Sequence, residues 1–313
     1  MKLLRLVPEV TNFRFMHWRA LSYPISGITA VLSIVLFLTV GLNYGIDFKG
    51  GTLIELQSTN GPADLSGIRK TLGGLGLGDV QVQEFGSPTE VLIRIESQGE
   101  GEDAQQGAIE KIRGAFTENI AFRRTEVVGP RVSGELAYAG SLAVGSALLM
   151  IMFYIWFRFE WQFAVGAIIT TFNDILLTVG LFSILQLDFS LSSIAAVLTI
   201  IGYSLNDTVV VYDRIRENLR RYKRLSLEEL LDKSINETLS RTTMTSVTTL
   251  LALFALYFLG GEVIQSFVLA MIFGIVIGTY SSIFLASPLL MLLKLRTSVF
   301  DKGEDDKTPV TSA

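Results

Sequence analysis

The chain has 313 residues, half of them hydrophobic, a formal net charge of −4, no cysteine and a single histidine, His17. A net acidic balance excludes a general nucleic-acid binder, which needs a basic face, and the lack of cysteine leaves any exported portion to be held by a core rather than by disulfides. One histidine near the N-terminus removes most zinc sites and Ser-His chemistry, so no metal site and no catalytic set is expected.

The N-terminal arm, 1–21, carries Lys2, Arg5, Arg14 and Arg19, and an apolar run to Leu42 follows. No A-x-A site follows the run, and it is long for the apolar region of a cleaved signal. A first membrane helix over 22–42 is therefore expected. Residues 43–133 are polar and mixed. "GTLIELQ" and "VQVQEF" read as strands, "EVLIRIE" puts Val91, Ile93 and Ile95 on one face, and "FRRTEVV" is a weaker fourth strand. "PADLSGIRKTL" spaces Leu65, Ile68 and Leu72 for a helix, and "AIEKIRGAF" does the same with Ile109, Ile112 and Phe116. The order strand, helix, strand, strand, helix, strand predicts a ferredoxin-like α+β domain. "YGIDFKGGT", 44–52, has Lys-Gly-Gly-Thr in sequence with no helix after it, which reads as a tight exit from the first helix into the first strand, not a phosphate loop.

Five further apolar runs, 135–157, 161–184, 190–212, 240–259 and 263–293, reach the roughly 20 residues that span a bilayer. The fold class is thus an α-helical polytopic membrane protein with six transmembrane helices and one α+β domain between the first and second. The last run exceeds one span, and Pro288 is expected to kink it or mark its exit. Lys and Arg gather in the N-terminal arm, at Arg158, in "DRIRENLRRYKR" of the 213–239 loop and at Lys294 and Arg296, whereas Gln186–Phe189 and Gly260–Glu262 have none. The positive-inside rule then puts both termini in the cytoplasm and 43–133 outside. In the loop, Ser226 and Glu229 form a capping box, and Leu227, Leu230, Leu231 and Ile235 share one face. A short amphipathic helix on the membrane surface is expected there. The tail, 294–313, is polar and reads as disordered.

Two carboxylates fall inside apolar runs: Asp174 in "TTFNDILLTVG" and Asp207 in "SLNDTVVVYDRIREN". A charge at mid-helix costs about 2.5–3.5 kcal/mol on insertion scales, so such residues face the bundle, pair, or take up a proton. Asp207 precedes Asp213 by six residues, roughly 9 Å at the helical rise. Arg241 opens the next run, and its long stem can reach inward. If the two helices are neighbours, Asp207 and Arg241 can meet. A carboxylate between burial, which favours its neutral form, and a guanidinium, which favours its charged form, can bind and release a proton as the pairing changes. Thr242, Thr245, Ser246 and Thr249 recur at helical spacing after Arg241, either as a hydrated stripe along that route or as interhelical glue. Asn206 and Asp174 are further candidates for support of a relay; Asn173 beside Asp174 also fits a polar packing patch. Gly274 and Gly278 form a GxxxG suited to close helix packing. An intramembrane aspartyl protease using Asp174 and Asp207 is a second reading, weakened because Ser204, Leu205 and Asn206 stand where that motif needs G-x-G.

"YGIDFKGGT", "SLNDTVVVYDRIREN", "SRTTMTSVTTLL" and "GGEVIQSFVLAMIFGIVIGTYSSIFLASP" together resemble the signature segments of the SecF family of protein-export membrane subunits, within the resistance–nodulation–division superfamily. The resemblance spans nearly the whole chain. It implies a subunit of the bacterial inner membrane that acts with SecD beside the SecYEG channel, with YajC/YidC-type accessory proteins, on unfolded preprotein at the outer side. It implies protons as the coupling ion, no other cofactor, no nucleic acid and no enzymatic step. The family's fourth-span aspartate falls on Asp207 and its partner arginine on Arg241. Relatives often carry histidine before the third-span aspartate, where this chain has Asn173, so a histidine contribution is absent. A proton-driven exporter of small molecules or lipids from the same superfamily is the alternative, but such exporters join two six-span halves in one chain.

Overall fold

The structure, a computed structural model, describes residues 11–98, 102–116 and 120–295. Lys2, Arg5, Arg296 and most of the 294–313 tail lie outside the described residues. Among the described residues, six helices are long and apolar enough to cross a membrane. They are α1 (Arg19–Thr39, entered through a 3-10 turn at Phe15–Trp18), α5 (Pro130–Arg158), α6 (Trp161–Leu185), α7 (Leu191–Arg221), α8 (Leu227–Leu259), and a composite of α9 (Gln265–Ser281) with α10 (Ser287–Leu292). Residues 43–128 hold β1 (Asn43–Tyr44), α2 (Ile46–Lys49), β2 (Gly51–Ser58), α3 (Leu65–Gly73), β3 (Val80–Phe85), β4 (Ser87–Ile95), α4 (Glu102–Ala115) and β5 (Ile120–Val128), and β6 (Asp188–Phe189) lies between α6 and α7.

In the α+β unit the strands lie in the order β3-β4-β2-β5, all antiparallel, with Ile54 opposite Ile93 and Gly51 opposite Val128. This is the arrangement in which two split βαβ halves interleave. Alternation along β2 and β4 sends Ile54, Leu56, Val91, Ile93 and Ile95 to one face, where Ile68 and Leu72 of α3 and Ile109 and Ile112 of α4 cover them. Burying each such side chain is worth about 1.5–3 kcal/mol, and α3 is started by Asp64, whose side chain accepts from the Ser66 and Gly67 amides.

The membrane bundle is built around α7, which packs on α6, α8 and α9. α5 buries only Ser133, Gly140 and Ile155, and turns Leu149, Met150, Phe153 and Phe157 outward. A helix apolar on all sides is suited to lipid or to another apolar helix. Because lipid tails are as apolar as leucine, close packing and hydrogen bonds join these helices rather than the hydrophobic effect.

Three expectations are corrected. The 213–239 segment is not a loop bearing a separate surface helix: α7 continues to Arg221, and α8 begins at Leu227 and runs unbroken to Leu259. The Ser226–Glu229 capping box starts that long helix, and Leu230, Leu231 and Ile235 are buried against Met16 and Ile215 in one core. The apolar stripe found protein, not the membrane surface, because the N-terminal arm folds back on it: Asp232 accepts from the Met16 amide at 2.8 Å and Asn236 from the Phe13 amide at 3.0 Å. Of the two readings of Pro288, the exit is excluded, because the sixth span runs past it within the expected 263–293 bound, and a local distortion of the helix is what is seen. A π-helical turn at Ser282–Ala286 precedes Pro288, and Ser287–Leu292 carries the helix on. The proline removes one backbone donor, and the wide turn absorbs the disruption. Finally, β1 and α2 stand between the first helix and the first sheet strand. The glycine pair still makes the tight entry: Gly50 and Gly51 have φ of 72° and 123°, and a Cβ on Gly51 would lie 2.2 Å from the Ile95 carbonyl oxygen.

Candidate functional site

Asp174, on α6, is 1% exposed. Its Oδ2 accepts hydrogen bonds from Ser204 Oγ of α7 at 2.5 Å and from Ser281 Oγ of α9 at 2.9 Å, while Oδ1 has no full hydrogen bond among the described residues, with the Asn173 side chain as a looser neighbour of the carboxyl. One carboxyl group thus joins three helices. Their approach depends on glycine: a Cβ on Gly274 would lie 2.4 Å from the Ile200 side chain, and one on Gly278 would lie 2.9 Å from Ser204 Cβ. Ser204 and Ser281 are each one helical turn from a residue noted for other reasons, Asp207 and Gly278. That i, i+3 spacing is the signal by which the sequence could have yielded them.

Asp207 lies one turn beyond Ser204 on α7. It is 2% exposed, and its Oδ2 has no hydrogen-bond partner among the described residues. α7 and α8 are antiparallel neighbours, with Arg214 on Glu237 at 2.7 Å, Asn218 on Ser234 at 3.0 Å and Tyr203 on Ser246 at 3.4 Å. That register sets Arg241 level with Val210, about 4.5 Å from Asp207 toward the α7–α8 turn. Arg241 acts on the Asp207 carboxyl electrostatically but forms no ion pair with it, and its side chain is exposed on the bundle surface. Asp213 pairs with Arg158 at 3.6 Å.

The hydroxyls of α8 divide. Thr245 and Thr249 donate to carbonyls of their own helix, Arg241 and Thr245 respectively. Ser246 also bridges outward, sharing a 2.7 Å hydrogen bond with Thr279 of α9 and accepting from Tyr203 of α7. Thr242 is 2% exposed and its hydroxyl has no hydrogen-bond partner among the described residues. Asn206, like Arg241, is exposed: the roughly 100° step between adjacent helical residues carries its side chain from the buried face of Asp207 round to the surface, and it does not enter the polar seam.

At the opposite end of α7 a second constellation was not singled out from sequence. Arg94 of β4 donates to Asp188 Oδ1 at 2.6 Å and to Asn43 Oδ1 at 3.1 Å, and Asn43 donates to Asp188 at 3.0 Å. Asp47 accepts from the Leu191 amide, at the first turn of α7, at 2.9 Å. β1 pairs parallel with β6, and Phe48 stacks on Phe189. Through these contacts the sheet domain is fastened to the start of the helix that carries Asp207. Leu92, buried on the sheet face opposite the core, was the available hint that this face is covered.

A family model described as "Protein export membrane protein SecD/SecF, C-terminal" matches residues 108–296, and one described as "SecD/SecF GG Motif" matches residues 35–61. The chain belongs to the SecD/SecF family. Within it, the protein translocase subunit SecF of Rhodobacter capsulatus is 46% identical, over 97% of this chain and 96% of that one. The SecDF subunit of Brucella abortus is 47% identical over 96% of this chain, which spans 40% of its length. A crystal structure of Thermus SecDF, described as translocon-associated, superposes with a TM-score of 0.83 at 36% identity, over 93% of this chain and 40% of that one. Membership in the SecD/SecF family makes this chain a multi-pass membrane protein with a transport role in protein translocation. The GG model covers the Gly50–Gly51 pair, and the larger one covers α5 to α10, Asp174, Asp207 and Arg241 included.

Proposed function

We propose that the chain is an auxiliary subunit of the Sec preprotein translocase that acts with SecD to couple proton flow to late-stage export. Asp207 carries the proton and Arg241 gates it. The observation that carries this reading is a carboxylate 2% exposed in a membrane helix, with an unpartnered oxygen and a cation a turn away rather than in contact. Such a group is held neither in a fixed ion pair nor in water, so its proton affinity follows small movements of its neighbours. Asp174, already bonded by two serines, serves as the structural tie between α6, α7 and α9, and the partner-free hydroxyl of Thr242 supports the route.

In this reading the α7–α8 turn, with its arginines, faces the cytoplasm, both termini are cytoplasmic in the bacterial inner membrane, and the ferredoxin-like domain lies outside, where it meets unfolded preprotein. The exposed faces bearing Asn206 and Arg241 are covered by the six-span half of SecD, beside SecYEG and YajC/YidC-type proteins. Movement of α7 reaches the outer domain through Arg94, Asp188 and Asp47. The exporter and protease alternatives are not favoured by relatives named as translocase subunits.

The test is Asp207→Asn in inverted membrane vesicles holding a translocation intermediate. Proton-driven stimulation of export is abolished while the protein remains folded in the membrane, and Arg241→Lys, which keeps charge but loses the fork, gives a partial loss. Full stimulation by Asp207→Asn overturns the assignment.

A further inference from the structure

α1 and α6 run parallel and touch closely at one level, where a Cβ on Gly180 would lie 2.2 Å from Ser33 Oγ. Seven residues, or two turns, back along each helix, that register sets Ser26 beside Asn173, with Tyr23 a turn below. There the helices part around a cavity of about 450 Å³, open at the bundle surface. The volume falls in the roughly 300–1,000 Å³ range of small-molecule sites. Its walls are apolar except for three buried groups: the Tyr23 and Ser26 hydroxyls, which have no hydrogen-bond partner among the described residues, and the Asn173 amide nitrogen, whose neighbour, the Asp174 carboxyl, lies outside the geometry of a full hydrogen bond. Ser26 is 5% exposed and Asn173 7%. Away from this polar level the crevice continues past Ala30 and Leu176, with no polar group.

An orphan donor in hydrocarbon costs about 1–3 kcal/mol, and two such hydroxyls a turn apart on α1, with an under-bonded amide on α6 facing them, call for an acceptor. The occupant must bring free acceptors into the hydrocarbon. A membrane helix has its carbonyls bonded within itself, whereas a lipid carries ester carbonyls that accept and an acyl chain that follows an apolar crevice. We propose that the α1–α6 crevice is a binding site for one membrane glycerolipid, whose ester carbonyls accept from Ser26, Asn173 and Tyr23 while an acyl chain lies along Gly27, Ala30 and Leu176. No other residue of the relay or of the outer joint takes part, so the proposal stands independently of the proton-coupling reading.

The experiment uses the full chain with its six-span partner in membranes doped with phosphatidylglycerol carrying a photoreactive diazirine on one acyl chain, followed by mapping of labelled peptides. Expected labelling of the 27–30 and 172–176 segments exceeds that of the outward face of α5 at least fivefold, and unlabelled phosphatidylglycerol competes it away. Gly27→Leu fills the crevice; a Cβ there meets nothing within 4 Å, so the backbone accepts a side chain, and unchanged melting in detergent checks that the variant folds. It lowers labelling of both segments at least fivefold and leaves α5 labelling unchanged. Asn173→Leu, which removes a donor without closing the space, lowers it less. Labelling no greater than on α5, labelling unaffected by Gly27→Leu, or cross-linking of a polypeptide from a photoreactive residue at Phe172 each overturns the proposal.

Discussion

Arg94→Ala opens the joint between the sheet domain and the bundle. The change removes a charge-assisted hydrogen bond to Asp188 and a second bond to Asn43. The side chains of Arg94 and Asp188 are 12% and 30% exposed. The pair therefore lies between surface ion pairs, worth about 0.2–1 kcal/mol, and hydrogen bonds to charged groups in sheltered sites, worth about 1.5–3 kcal/mol. A loss of about 2 kcal/mol shifts the open-to-closed ratio of the joint roughly 30-fold. Two amides report it directly: Gly45, bonded to the Phe189 carbonyl at 2.9 Å, and Leu191, bonded to Asp47 at 2.9 Å. Hydrogen exchange on the chain in nanodiscs should accelerate about 30-fold at these amides and stay unchanged inside the β2–β4 ladder. Adding Asp188→Asn to Arg94→Ala should change little more, because partners in one network are not additive. Protection at Gly45 and Leu191 within threefold of the parent refutes the reasoning. So does a matching loss in the ladder, which would make Arg94 a support of the domain's own fold.

Two further outcomes follow from the bundle. Asp174→Ala strips the acceptor from Ser204 and Ser281; at about 0.6–1.7 kcal/mol per interhelical bond, thermal melting in detergent should show about 1–3 kcal/mol lost. Asp174→Asn, which retains an acceptor oxygen, recovers at least half, and equal melting of the two variants refutes the bonding role. Gly278→Leu drives a side chain into Ser204 and should cost at least about 1–3 kcal/mol of overpacking. The control Gly202→Ala, on α7 where a Cβ meets nothing within 4 Å, should be neutral or slightly stabilising.

Local chemistry repeated along one element was legible before any fold was known. Apolar length defined six spans, and period-two alternation in "EVLIRIE" set the core face of β4. The spacing Gly274–Gly278 marked a helix face able to approach another, and the insertion cost of a buried charge drew attention to Asp174 and Asp207. Tertiary structure decided what depends on meetings between distant segments. Leu230, Leu231 and Ile235 have the same periodicity whether they lie on a membrane or on the N-terminal arm; only the fold of 11–18 onto α8 distinguishes the two. Ser204 and Ser281 are ordinary hydroxyls until glycine lets α9 close on α7 beside Asp174. Arg94 and Asp188 are 94 residues apart, and no local pattern couples them. Asn206 beside Asp207 looked like part of the same site, yet the roughly 100° step of a helix carries it out of the buried seam to the exposed surface. Periodicity tells which residues share a face; the packing of the chain tells what that face meets.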